Sequence, residues 1–135
     1  MATSITLRTD GPHSPQYRAE VEDALAECVR VLNYSARAGG LETPADACAL
    51  LGAWYTATSG MSQLTARVAF FLEAQAATVN RLADDSGDDP RTLVHRAARE
   101  LQDAAEFAQD MTASLQEAQS CISGLHVKGE NDGSE

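Results

Sequence analysis

PADACALLGAWYTATSGMSQLTARVAFFLEAQAATVNRLA, residues 44–83, is the stretch whose reading decides the fold. Taken as one helix it leaves a three-helix chain; broken at Ser59-Gly60 it leaves four. Glycine inside a helix costs about 1 kcal/mol relative to alanine, so phase is the test. Alternate steps of three and four give Leu51, Trp54, Thr58, Met61, Thr65, Val68, Leu72, Gln75, Val79 and Leu82, and this face does not jump at Gly60. A loop would reset it. The spacing predicts one helix from Pro44 to Ala83, with a bend allowed at Ser59-Gly60 and a length of roughly 60 Å.

The flanks repeat one device. Ser14-Pro15, Thr43-Pro44 and Asp89-Pro90 each place a capping side chain before a proline, whose missing amide hydrogen is no loss in the first turn. Helix 1 carries Val21, Leu25, Cys28 and Leu32 on one face and stops at Gly39-Gly40, where glycine can take the left-handed conformation. After the turn Asp84-Asp85-Ser86-Gly87-Asp88, helix 3 holds a heptad seam of Val94, Ala97, Leu101, Ala104, Ala108, Met111, Leu115, Ala118, Ile122 and Leu125. The expected fold is all-α: an antiparallel three-helix bundle with long, coiled-coil-like helices 2 and 3. It spans residues 14–125. A flexible arm, residues 1–13, precedes it, with Ser4 to Arg8 alternating polar and apolar; a disordered acidic tail, residues 126–135, follows.

Composition bounds the function. The 135 residues contain 20 acidic and 10 basic side chains, a net charge of −10, with 24 alanines and 3 cysteines. That is one domain. A surface so acidic repels a phosphate backbone, which excludes direct nucleic-acid binding. The opening residues MATSITLRTDGPHSP show neither a basic nor an apolar targeting region, so a cytoplasmic protein is expected. Cys28, Cys48 and Cys121 are odd in number and widely spaced, which reads as free thiols.

The helix lengths imply a partner. Helix 1 covers roughly 24 residues against roughly 40 and 35 for helices 2 and 3, so it shields helix 2 only to about residue 66. Val68, Phe70, Phe71, Leu72 and Val79 lie beyond that point, and each such side chain gains about 1.5–3 kcal/mol on burial. From Ala47 to Ala66 there are 20 consecutive uncharged residues, too rich in Thr, Ser and Gln for a membrane span. A second copy packed on the helix 2–helix 3 hairpin, giving a homodimer through these five residues, is the expected cover.

No chemistry accompanies this. Antiparallel counting brings Cys28, Cys48, Cys121 and His126 toward one end of the bundle, but no CxxC or HxxxH spacing supports a metal, and Cys28 on the apolar stripe reads as core. Carboxylate iron sites need Glu-x-x-His pairs, whereas Thr92 precedes His95 and Ser123 precedes His126 by three residues. The aspartates around Ser86-Gly87 lack calcium-loop spacing. No catalytic residue, metal or cofactor is expected, and no enzyme. Asp103, Glu106, Asp110 and Glu117 fall within about 60° of arc on helix 3. They form an acidic stripe that could receive a basic or DNA-binding protein partner, making the chain a sequestering regulator in the alternative reading. Arg91, His95 and Arg99 form an opposite stripe upstream.

The segments Val29-Arg30-Val31-Leu32-Asn33-Tyr34, Gly40-Leu41-Glu42-Thr43-Pro44-Ala45-Asp46 and Gly52-Ala53-Trp54, with Cys121-Ile122-Ser123-Gly124-Leu125, resemble a group of small, uncharacterised helical proteins from actinobacteria. The resemblance covers Glu27 to Leu125 and implies an origin, not an activity. The WxG helical-hairpin secretion substrates do not fit, since Trp54 lacks the following x-Gly and sits inside a helix.

Overall fold

The computed structural model describes residues 5–129; residues 1–4 of the arm and 130–135 of the tail lie outside the described residues. Three helices form, α1 (Pro15–Arg37), α2 (Pro44–Ala77) and α3 (Pro90–Ile122), and among the described residues there is no strand. The chain is all-α, as the sequence predicts. It divides into two compact units, Met1–Glu42 and Thr43–Glu135.

In the first unit, residues 5–13 have no regular structure. The Arg8 backbone N–H donates to the Tyr17 hydroxyl at 2.7 Å, and the Arg8 guanidinium lies 4.6 Å from the centre of the Tyr17 ring. Helix α1 starts where Ser14 caps it, its hydroxyl accepting from the Tyr17 amide at 3.1 Å. It ends in a Schellman turn: the Ala38 amide donates to Tyr34, and the Gly40 amide to Ser35 at 2.7 Å, while Gly39 takes φ +83°. Gly40 is required there, because a Cβ would lie 2.5 Å from the Ser35 carbonyl oxygen. Ion pairs Arg18–Glu22 and Glu27–Arg30 run along the helix. The Arg30 hydrogen bond, then its charge, holds the Glu27 carboxyl below its ordinary range. Cys28, expected in the core, is exposed, as are Leu25 and Leu32.

The second unit is an antiparallel hairpin of α2 and α3. Thr43 and Asp46 close a reciprocal capping box at the start of α2, and Asp89 caps α3 through the Arg91 amide. Helix α2 runs unbroken through Ser59-Gly60. Four of its hydroxyls are satisfied by its own backbone: Thr56 donates to Gly52, Thr58 to Trp54 or Tyr55, Ser59 to Thr56, and Thr65 to Met61 or Ser62. A helix rich in Ser and Thr can therefore present methyl groups to a neighbour without orphaned donors.

Helix α2 stops at Ala77, six residues before Ala83 where the heptad phase would carry it. Thr78 is extended at φ −81°, ψ 120°, and Asn80 takes the left-handed φ of 58°. Consecutive β-branched Thr78 and Val79 weaken the helix, and asparagine tolerates the left-handed conformation that ends it. Helix α3 likewise ends at Ile122, short of Leu125, whose amide turns back to the Ile122 carbonyl at 2.9 Å.

Candidate interaction surface

Cross-hairpin contacts fix the register. Thr112 donates from Oγ1 to Thr58 Oγ1 at 2.9 Å, Gln119 Nε2 donates to the Cys48 carbonyl at 3.2 Å, and a Cβ on Gly52 would meet Gln119. Residues at one level thus have numbers summing to about 170, as a straight antiparallel helix pair requires. Thr58, only 1% exposed, and Leu115, at 8%, are the buried side chains among the described residues.

Among the shielded positions, those that recur at regular steps along each whole helix trace which faces meet. On α2 they are Leu51, Tyr55, Thr58, Ser62, Thr65, Ala69, Leu72 and Ala76; on α3, Val94, Ala98, Leu101, Ala105, Ala108, Thr112, Leu115, Gln119 and Ile122. Both sets step by four and three. Half of each expected heptad seam is therefore in contact, namely 51, 58, 65 and 72 with 94, 101, 108, 115 and 122. Of the other half, Trp54, Met61 and Val68 on α2, and Ala104, Met111 and Ala118 on α3, are exposed, while Gln75 and Ala97 are half-buried.

Those exposed residues belong to a second seam, one residue back from the first on each helix. On α2 it runs through Trp54, Ala57, Met61, Leu64, Val68 and Phe71, all exposed, with Leu64 at 58% and Phe71 at 59%. On α3 it runs through Glu100, Ala104, Phe107, Met111, Ser114 and Ala118, with Phe107 at 72%. A right-handed helix advances clockwise when viewed from its N-terminus. Because α2 and α3 run in opposite directions, stepping back one residue on each turns both second seams to the same side of the hairpin. They form one apolar groove.

The five residues expected to self-associate separate in space. Val68 and Phe71 line the groove, whereas Leu72 turns to α3 and is half-buried, so it is not available to a partner. Phe70, 75% exposed, lies about 100° around the helix from Phe71 on the opposite side. Val79 is exposed but beyond the end of α2. Trp54, Met61, Leu64, Phe107 and Met111 join the groove without having been singled out as contact residues. Trp54, Met61 and Met111 lie on the expected heptad seam itself, and Leu64 and Phe107 one position before it.

Elsewhere, Asp103, Glu106, Asp110 and Glu117 are all exposed along α3, and the Cys121 thiol sits 3.8 Å from the Glu117 carboxylate. Arg91, His95, Arg96 and Arg99 line a shallow depression nearer the start of α3. The three thiols are unpaired, and among the described residues no three His, Cys, Asp or Glu side chains converge as a metal site. In the 78–89 connection, Asp84 accepts from the Ser86 hydroxyl and amide, and these two bonds in that order hold its carboxyl below the ordinary range. No helix among the described residues is long and apolar enough to cross a membrane. No family model, curated protein or solved structure matches the chain.

Proposed function

We propose that the chain is a non-enzymatic helical interaction protein that self-associates through the open side of its α2–α3 hairpin. One observation carries this: Trp54, Met61, Leu64, Val68 and Phe71 of α2 face the groove, while the middle of its contact with α3 is built from Thr58, Ser62, Thr65 and Ala69. In a helical bundle each helix touches two neighbours, so its apolar stripe points between them. The stripes of α2 and α3 both point into the groove, as they would if a further pair of helices belonged there. Trp54, Met61, Leu64, Val68, Phe71, Phe107 and Met111 together offer on the order of 700 Å² of exposed side chain, close to the roughly 800 Å² per partner of a stable interface.

Unpaired thiols suit a reducing compartment, and the cytoplasm is the location we propose. Light scattering at micromolar concentration tests the reading: a particle of twice the 14.3 kDa chain supports it, and one of 14.3 kDa refutes it.

A second reading has the exposed acidic stripe in its favour, since among the described residues none of Asp103, Glu106, Asp110 and Glu117 is in an ion pair. There the stripe holds a basic protein. Changing Glu106, Asp110 and Glu117 to Gln or Asn would then weaken capture of that partner while leaving self-association unchanged.

A further inference from the structure

We infer that the occupant of the groove is a second copy related by a two-fold axis parallel to the helices, so that α2 of each chain lies on α3 of the other. This rests on the self-association proposed above and specifies its geometry. Two closed arrangements can join two such grooves. With the axis across the helices, α2 meets its own copy; with the axis along them, α2 meets the second copy's α3.

Side-chain size at the two ends of the groove separates the two. With the groove centred on itself, the first arrangement sets Trp54 against Phe71 of the second copy, large on large, and Ala97 against Ala118, small on small. Well-filled interfaces alternate large and small residues across the contact. The second arrangement does this at the groove ends, because an axis along the helices keeps every residue at its own level, and the hairpin register then decides the pairs. There Trp54 lies over Ser114 and Ala118, and Phe71 over Ala97, at numbers summing to about 170, while Ala57 meets Ser114 and the central Met61 and Leu64 meet Met111 and Phe107.

Charge agrees independently. Between Ala47 and Glu73, Arg67 is the only charged residue of α2, and among the described residues it has no ion pair. In the second arrangement the register brings it level with Asp103 of the second copy, beside Glu100. In the first it faces α2 of the second copy, where Asp46, at the N-terminal cap, and Glu73 are the only acidic residues.

Cysteine cross-linking tests this in the full chain with Cys28, Cys48 and Cys121 changed to Ser. Chains carrying Ala57→Cys are mixed with differently tagged chains carrying Ser114→Cys. Both positions are exposed and the substitutions small, so folding is preserved. A disulfide between the two kinds of chain is expected, with none between Leu64→Cys chains. Ready self-cross-linking of Leu64→Cys, or a particle of dimer mass with no Ala57→Cys to Ser114→Cys bond, overturns the geometry and leaves self-association standing. A monomer in light scattering removes both. As a second readout, Arg67→Glu and Asp103→Arg should each weaken the dimer about fivefold, and together restore it; additive loss contradicts the pairing.

Discussion

Replacing Thr58 by valine tests how the hairpin contact is held together. Thr58 is the most buried side chain described, and its hydroxyl has two sets of neighbours: it accepts from Thr112 and can donate to the Trp54 or Tyr55 carbonyl at 3.1–3.2 Å. Valine has nearly the same shape and removes both. The outcome depends on which groups are left unsatisfied, because a buried orphan costs about 1–3 kcal/mol. None is left here. Thr112 keeps the Ala108 carbonyl at 2.7 Å as an alternative acceptor, and the Trp54 and Tyr55 carbonyls remain within the helix ladder. The loss is one net hydrogen bond, about 0.5–1.5 kcal/mol, offset by about 0.8 kcal/mol from burying a methyl in place of a hydroxyl. Thr58→Val should therefore change stability by less than about 1 kcal/mol. Thr58→Ala also deletes a methyl and opens a gap, and should cost about 1–1.5 kcal/mol more. Urea unfolding followed by circular dichroism at matched concentration gives both, and Thr112→Val with the double variant completes a cycle. A Thr58→Val cost above about 2 kcal/mol would refute the reasoning, since it would mean an orphaned group that the alternative acceptor does not rescue.

Gly60 lies in the middle of α2 with open space around its Cβ position, so Gly60→Ala should stabilise the chain by up to about 1 kcal/mol in the same assay; destabilisation would show the helix bends there. Ser86 holds the Asp84 carboxyl below its ordinary range, so the turn gains stability above the unfolded aspartate range and loses it as pH falls through the lower folded value. In an NMR titration Asp84 should titrate below the ordinary aspartate range, and Ser86→Ala should raise it towards that range.

The helices and their starts were legible in the sequence because caps are local chemistry: Ser14-Pro15, Thr43-Pro44 and Asp89-Pro90 each open a helix as expected. Continuity through Gly60 was legible from phase. The end of α2 was not, since apolar Val79 and Leu82 continue the heptad while backbone preference at Thr78-Val79-Asn80 ends the helix. The candidate surface was half legible. A heptad identifies the apolar stripe, but Leu51 and Trp54 lie on the same stripe and only the orientation of α3 separates them, sending one to the contact and the other to the groove. Adjacent Phe70 and Phe71 illustrate the same limit: neighbours in sequence, they lie about 100° apart on the helix.

That separation provides the most direct test of the central claim. Sedimentation equilibrium would compare the unmodified chain with Leu64→Glu, in the groove, and Phe70→Glu, on the opposite side; both positions are exposed, so neither change disturbs the hairpin. The account predicts a dimer for the unmodified chain and for Phe70→Glu, and a monomer for Leu64→Glu. A monomer throughout, or a dimer lost with Phe70→Glu and kept with Leu64→Glu, would contradict it.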